Sequence, residues 1–253
     1  MKKTLLFIIF LYAVRLFSQE YSIQNNEILL ILGDNSLKNE CLIKELRTDS
    51  SLNRSCKSLV IDGIFKYLPH NIYHIDWIEQ LQINISDTVF IDKNFSKFKK
   101  LEGLLIFGGH VNIEKKVNLP NIKYLKLQYV KFINGKFPEA ILNWINLTDI
   151  IVTEGNINTI PNNIIKLNKL EILGLSNNNI NSIPDELYSL ESLQNLSIYG
   201  NKLKKISPKI CNMKSLKYIH LDRNLIIDDR VSTCLKARII RFDEYNMPYE
   251  EDM

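Results

Sequence analysis

The sequence predicts an α/β solenoid, with short strands stacked into one parallel sheet and single turns of helix or 3₁₀ on the opposite side. Three observations predict it. Leu147, Leu170, Leu193 and Leu216 stand 23 residues apart, and each opens a Leu-x-x-Leu-x-Leu pattern, as in Leu170-Glu171-Ile172-Leu173-Gly174-Leu175. Asn178, Asn201 and Asn224 follow at one common offset. Ile160-Pro161, Ile183-Pro184 and Ile206-Ser207-Pro208 recur farther along each unit. Self-similarity at a fixed period in this range marks stacked repeats, none of which can bury its apolar face alone.

Each part of the unit has a physical reading. Leu173 and Leu175 alternate with period two, so one face of a short strand is apolar and the other is free. Asn178 then interrupts the strand, and its amide can bond backbone groups of adjacent coils where the chain turns. The prolines sit where the chain has left the sheet, because Pro cannot donate to a ladder. Ile164 and Leu167, Leu187 and Leu190, and Ile210 and Met213 are apolar pairs at i, i+3, which suits one outer turn of helix or 3₁₀.

The same register runs backwards through less regular units. Ile122-x-x-Leu125-x-Leu127 opens a unit of 25 residues and Leu101-x-x-Leu104-x-Ile106 one of 21. Ile78-x-x-Leu81-x-Ile83 opens one of 23, with Ile91, Phe95 and Phe98 outside, and Cys56-x-x-Leu59-x-Ile61 one of 22. Ile239-x-x-Phe242 reads as a final half-coil. The expected organisation is an N-terminal cap over 19–55, about eight coils over 56–238, and the half-coil with an acidic tail over 239–253. No Gly/Ser linker divides the chain.

On these residues the chain resembles the leucine-rich repeat superfamily, most of all its 23-residue subtype with Leu-x-x-Leu-x-Leu-x-x-Asn-x-Ile-x-x-Ile-Pro. The clean match runs from Leu147 to Ile226, and a looser one reaches back to Cys56. The resemblance implies a horseshoe with a parallel concave sheet, short helices or 3₁₀ turns on the convex side, and partners bound on the concave face. Gly155, Val130 and Gly109 replace the Asn, so regular ladder bonding is not expected there and local curvature changes.

Met1 to Ser18 has the layout of a secretory signal peptide: Lys2 and Lys3, an apolar run from Leu5 to Val14, then Ser18-Gln19-Glu20. The run is short of the ~20 residues that span a bilayer. Arg15 and Leu16 are atypical, and an uncleaved anchor or a buried helix is the alternative. The reading places the chain in the periplasm, at the cell surface or outside the cell, with no stable membrane insertion after signal removal. Lys2, Lys3 and Arg15 supply three of the four net positive charges, which leaves about +1 from Gln19 onward. That balance, scattered rather than striped, argues against nucleic acid.

The four cysteines fall near the two ends. Cys211 and Cys234 share one offset in adjacent coils. Cys41 lies in a helical-looking stretch, Ser36 to Arg47, and Cys56 opens the first coil. A secreted context permits Cys41–Cys56 and Cys211–Cys234 bridges. Four buried thiols serving as small hydrophobes are the alternative.

Catalytic motifs are missing. His70 and His74 are four apart, but no third ligand lies nearby, and solvated or capping histidines are the better reading. Asp228-Asp229 reads as a helix N-cap near Val231. No nucleophile elbow, phosphate loop or dinucleotide fingerprint occurs. The expectation is no enzyme, no cofactor and no metal. Five Asn-x-Ser/Thr sequons occur, of which Asn84 and Asn195 fall on concave strands.

The residues free to act are the outward strand positions. One row reads Gln80, Gly103, Tyr124, Asp149, Ile172, Asn195, Tyr218. The next reads Gln82, Leu105, Lys126, Ile151, Gly174, Ser197, His220, and the third Asn84, Phe107, Gln128, Thr153, Ser176, Tyr199, Asp222. Leu105, Phe107, Tyr124, Tyr129 and Ile151 fall within three neighbouring coils, and patches of this kind mark interaction sites. The alternative is that a cap or an irregular loop covers them. Tyr199, Tyr218, His220 and Arg223 form a second candidate. The expected partner is a protein or peptide held by a monomer. The rivals are a self-associating surface or envelope protein and a glycan binder.

Overall fold

A computed structural model describes residues 29–33, 41–43, 57–63, 66–68, 70–222, 229–235 and 239–241. The segment read as a signal peptide, Cys56, Arg223, Asn224 and the acidic tail lie outside the described residues. Eight strands carry the repeat: β3 (Ser58–Gly63), β4 (Gln80–Ile85), β6 (Gly103–Phe107), β8 (Tyr124–Gln128), β10 (Asp149–Thr153), β11 (Ile172–Gly174), β12 (Asn195–Ser197) and β13 (Tyr218–His220). They pair in parallel, each with the next, and β14 (Ile239–Arg241) extends the sheet beside β13. The inward residues of each strand are buried, including Leu59, Leu81, Leu104, Leu125, Ile150, Leu173, Leu196 and Ile219. The apolar positions of the repeat therefore stack into one continuous core.

On the outer side the i, i+3 pairs build 3₁₀ turns. Asn162–Lys166, Asp185–Ser189 and Pro208–Asn212 are such turns, and Ile164, Leu167, Leu187, Leu190, Ile210 and Met213 are all buried. Pro161 and Pro184 precede the first two, and Pro208 opens the third. Their missing N–H groups fall where a helix start has no acceptor to offer. His70 and His74 bound another 3₁₀ turn and are both exposed. With three residues per turn, side chains four apart do not share a face.

Two features depart from the sequence reading. The spacing of Leu37, Leu42 and Leu46 predicts a helix around Cys41, but Cys41–Ile43 is a strand, β2. It pairs antiparallel with β1 (Leu29–Gly33), which pairs antiparallel with β3. The first coil leaves a row of strand N–H and C=O groups unpaired, and a hairpin satisfies them where a helix would not. The second feature is a small parallel sheet on the side of the middle coils: β5 (Thr88–Ile91), β7 (His110–Ile113) and β9 (Lys131–Phe132).

This second sheet explains the missing asparagines. Asn178 and Asn201 cross-link coils through their side-chain amides. Where Gly109 and Val130 stand instead, main-chain bonds take over: His110 N donates to Asp87 O, and Lys131 N donates to Gly109 O. Gly109 has φ +63, and a Cβ there would collide with the Asp87 carbonyl oxygen, so the close approach requires glycine. Asn156 bridges the two regimes. Its amide both donates to Phe132 O and accepts from Phe132 N.

At the C-terminal end α1 (Asp229–Leu235) lies against the last 3₁₀ turn and buries Val231 and Leu235. Cys234 on this helix is bonded to Cys211, with Cα atoms 5.8 Å apart. The bond closes a loop of 23 residues, worth about 3 kcal/mol on a chain-entropy estimate. The exposed pairs Lys57–Glu79 and Lys123–Glu102 join adjacent coils at the strand entrances, but solvent leaves such pairs little stabilising effect.

Candidate binding face

The outward rows read from the sequence are the paired rows of the sheet. Tyr124 lies between Gly103 and Asp149, Lys126 between Leu105 and Ile151, and Gln128 between Phe107 and Thr153. Parallel pairing in one register carries every inward residue to the core and every outward residue to this face.

Tyr124 is 48% exposed and Tyr218 is 39% exposed. Leu105, Phe107, Ile151, Tyr199 and His220 are half-buried. Lys126 sits between Leu105 and Ile151, so those two side chains do not meet as direct neighbours. Phe107 and Tyr124 stand on adjacent strands but two rows apart. Tyr129 follows β8 at φ 57, 57% exposed, with its N–H donating to Thr153 O. It therefore rises at the rim of the face rather than on a strand.

The C-terminal group is more compact. The Tyr199 and His220 rings stack with centroids 5.0 Å apart and planes 8° from parallel. Ser197 Oγ lies 3.3 Å from His220 Nδ1 and 2.7 Å from Ser176 Oγ. Ser197 is only 6% exposed, so this hydroxyl chain forms a floor beneath the aromatic pair rather than presenting a nucleophile. Asp222 accepts from Gly200 N and Asn201 N, which fixes the turn beyond the row.

Asp149 is the functional candidate that motif reading passes over. It stands half-buried between Tyr124 and Ile172, accepting from the Thr148 hydroxyl. Burial pushes its carboxyl above the ordinary range; the Thr148 bond opposes this and the nearby Glu171 adds to it. The available signal was an acid at a strand position where the repeat needs no charge. Among the described residues no group of three or more His, Cys, Asp or Glu side chains could hold a metal ion. No described helix is long and apolar enough to cross a membrane.

Among the described residues, nine parallel strands, most of them joined through 3₁₀ turns, with one face filled by the core and the other open, define a repeat solenoid. Residues 145–203 match the family model described as leucine rich repeat. Over those residues the chain is similar to leucine-rich repeat proteins. Its fold is similar to an internalin from Listeria monocytogenes (TM-score 0.57, 21% identity, covering 70% of this chain and 51% of that one). It is also similar to a plant peptide hormone receptor, RGFR1, in complex with RGF2 (TM-score 0.55, 21% identity, covering 72% of this chain and 30% of that one). The chain thus spans about half the length of the internalin and less than a third of the receptor. No curated protein sequence matches it.

Proposed function

We propose that this protein is a non-enzymatic binding module that holds a protein or peptide on the open face of its sheet, the concave face of the family's solenoids. One observation carries the reading: aromatic side chains stand at outward strand positions where the repeat accepts any residue. Tyr124 and Tyr218 are both more than a third exposed, while Gln80 and Asn195 serve equally well in the same row. Exposed aromatics of this kind anchor interfaces. The similar plant receptor is in complex with RGF2, which agrees with a peptide-sized partner.

Immobilised protein should retain a partner from the medium or cell surface around the producing cell. Phe107→Ala with Tyr124→Ala should weaken that capture at least ~30-fold, because truncating a true anchor costs at least ~2 kcal/mol of binding. The thermal midpoint should fall only modestly, since Tyr124 is exposed and Phe107 is half-buried, and the variant should stay folded. Undiminished capture, or a variant that unfolds, sinks the assignment of these two rings and turns attention to Tyr199 and Tyr218.

The same reading places the protein outside the cytoplasm, by cleavage between Ser18 and Gln19. The basic start and apolar run support it, as does the Cys211–Cys234 bond, which persists in oxidising compartments. The exported protein should begin at Gln19 by N-terminal mass. A cytoplasmic pool retaining Met1 would contradict export.

A further inference from the structure

We propose that the partner inserts an arginine side chain, its guanidinium lying across the Tyr124 ring and forking onto the Asp149 carboxylate. The proposal rests on the sheet-face reading and specifies the chemistry of what binds there. Tyr124 and Asp149 are direct neighbours on β8 and β10, so their backbones are ~4.8 Å apart. A planar guanidinium can stack on an aromatic face and present two parallel N–H donors to a carboxylate, a combination that an ammonium cannot match.

The acid is placed for such a visitor. Asp149 is half-buried, and among the described residues no Lys or Arg pairs with it. The like charge of Glu171 acts on it in the same direction as burial. A partly buried carboxylate without a counter-charge costs free energy, and this fold has no need of it, since Gln80, Ile172 and Asn195 occupy the same row. The burial that raises its pKa also means that an arriving cation recovers more than it would in open water.

The ring is approachable for a separate reason. Tyr124 is 48% exposed, and the buried Gly103 on its other side adds no side chain to crowd it. The Gly103 backbone does not require glycine: a Cβ there would make only ordinary contacts, 3.5 Å to Gln80 Cγ and 3.9 Å to Leu105 Cδ1. A metal ion is the competing cation, but the site lacks a third ligand among the described residues.

The test is a titration of the full chain with N-acetyl-arginine amide, following the Asp149 carboxyl and Tyr124 ring signals by NMR. The citrulline analogue, which has the same shape without the charge, is the control. Saturable shifts at both residues are expected. Affinity should be at least ~10-fold lower for the citrulline analogue and for Asp149→Asn. The Asp149 titration midpoint should also fall when the probe is bound. Equal binding of the citrulline analogue, shifts that persist in Asp149→Asn, or no saturable shift at these residues would overturn the proposal. Asp149→Asn removes a charge that the fold disfavours, so it should fold normally. If the arginine probe fails while partner capture still depends on Phe107 and Tyr124, the binding face stands and only its cation is withdrawn.

Discussion

Leu196→Ala is expected to destabilise the protein by about 2–5 kcal/mol, the range for emptying a buried leucine site. Leu196 is 1% exposed and lies between Leu173 and Ile219, which are equally buried, in the stacked row of β11, β12 and β13. Its neighbours sit on strands held by main-chain bonds, so they cannot collapse into the space, and the cost should fall in the upper half of that range. The loss should also be local, because each coil rests only on the next. Amide exchange should accelerate in the coils around Leu173 and Ile219. It should change little at the aromatic packing of Tyr73, Phe95 and Phe98, whose ring centroids lie 5.4–5.7 Å apart in earlier coils. An unchanged denaturation midpoint would mean that the register is wrong.

The register was legible because a strand has only two faces. Once Leu173 and Leu196 are assigned inward, a slip of one residue would turn every leucine of the row outward. The phase set at Leu147 therefore propagates back to Leu59 through units of unequal length. The hairpin at the N-terminal edge was not legible, since its sequence obeys no repeat and its role is to satisfy main-chain groups of β3. The sheet of β5, β7 and β9 was hidden for a related reason. Its strands are held by main-chain bonds that many sequences can make, and only the brief alternations Val89-x-Ile91 and Val111-x-Ile113 announce it. For the candidate face, the rows were legible but the packing within them was not. The stacking of Tyr199 on His220 and the place of Lys126 between Leu105 and Ile151 depend on pairing across strands, which a single unit does not carry.

The sharpest consequence of the two ways of tying coils together lies at Asn178. Its carboxamide Oδ1 accepts from Gly155 N at 3.0 Å and Ile157 N at 2.9 Å, while Nδ2 donates to Val152 O at 2.8 Å, Leu175 O at 3.0 Å and Ser176 O at 3.1 Å. Two of these acceptors have other donors, because Asn201 Nδ2 also reaches Leu175 O and Glu154 N reaches Ser176 O. The two N–H groups and Val152 O are what Asn178→Ala strands. Each buried, unsatisfied group costs about 1–3 kcal/mol, so the substitution should cost at least about 3 kcal/mol in all. Asn201→Ala should cost less, because Asn201 is more exposed and its Oδ1 accepts from Ile180 N alone. Water can then replace part of what is lost. Urea denaturation of the two variants tests the order. If Asn201→Ala proves the more damaging, the carboxamide at 178 is not the lock between the regular coils and those tied by main-chain bonds.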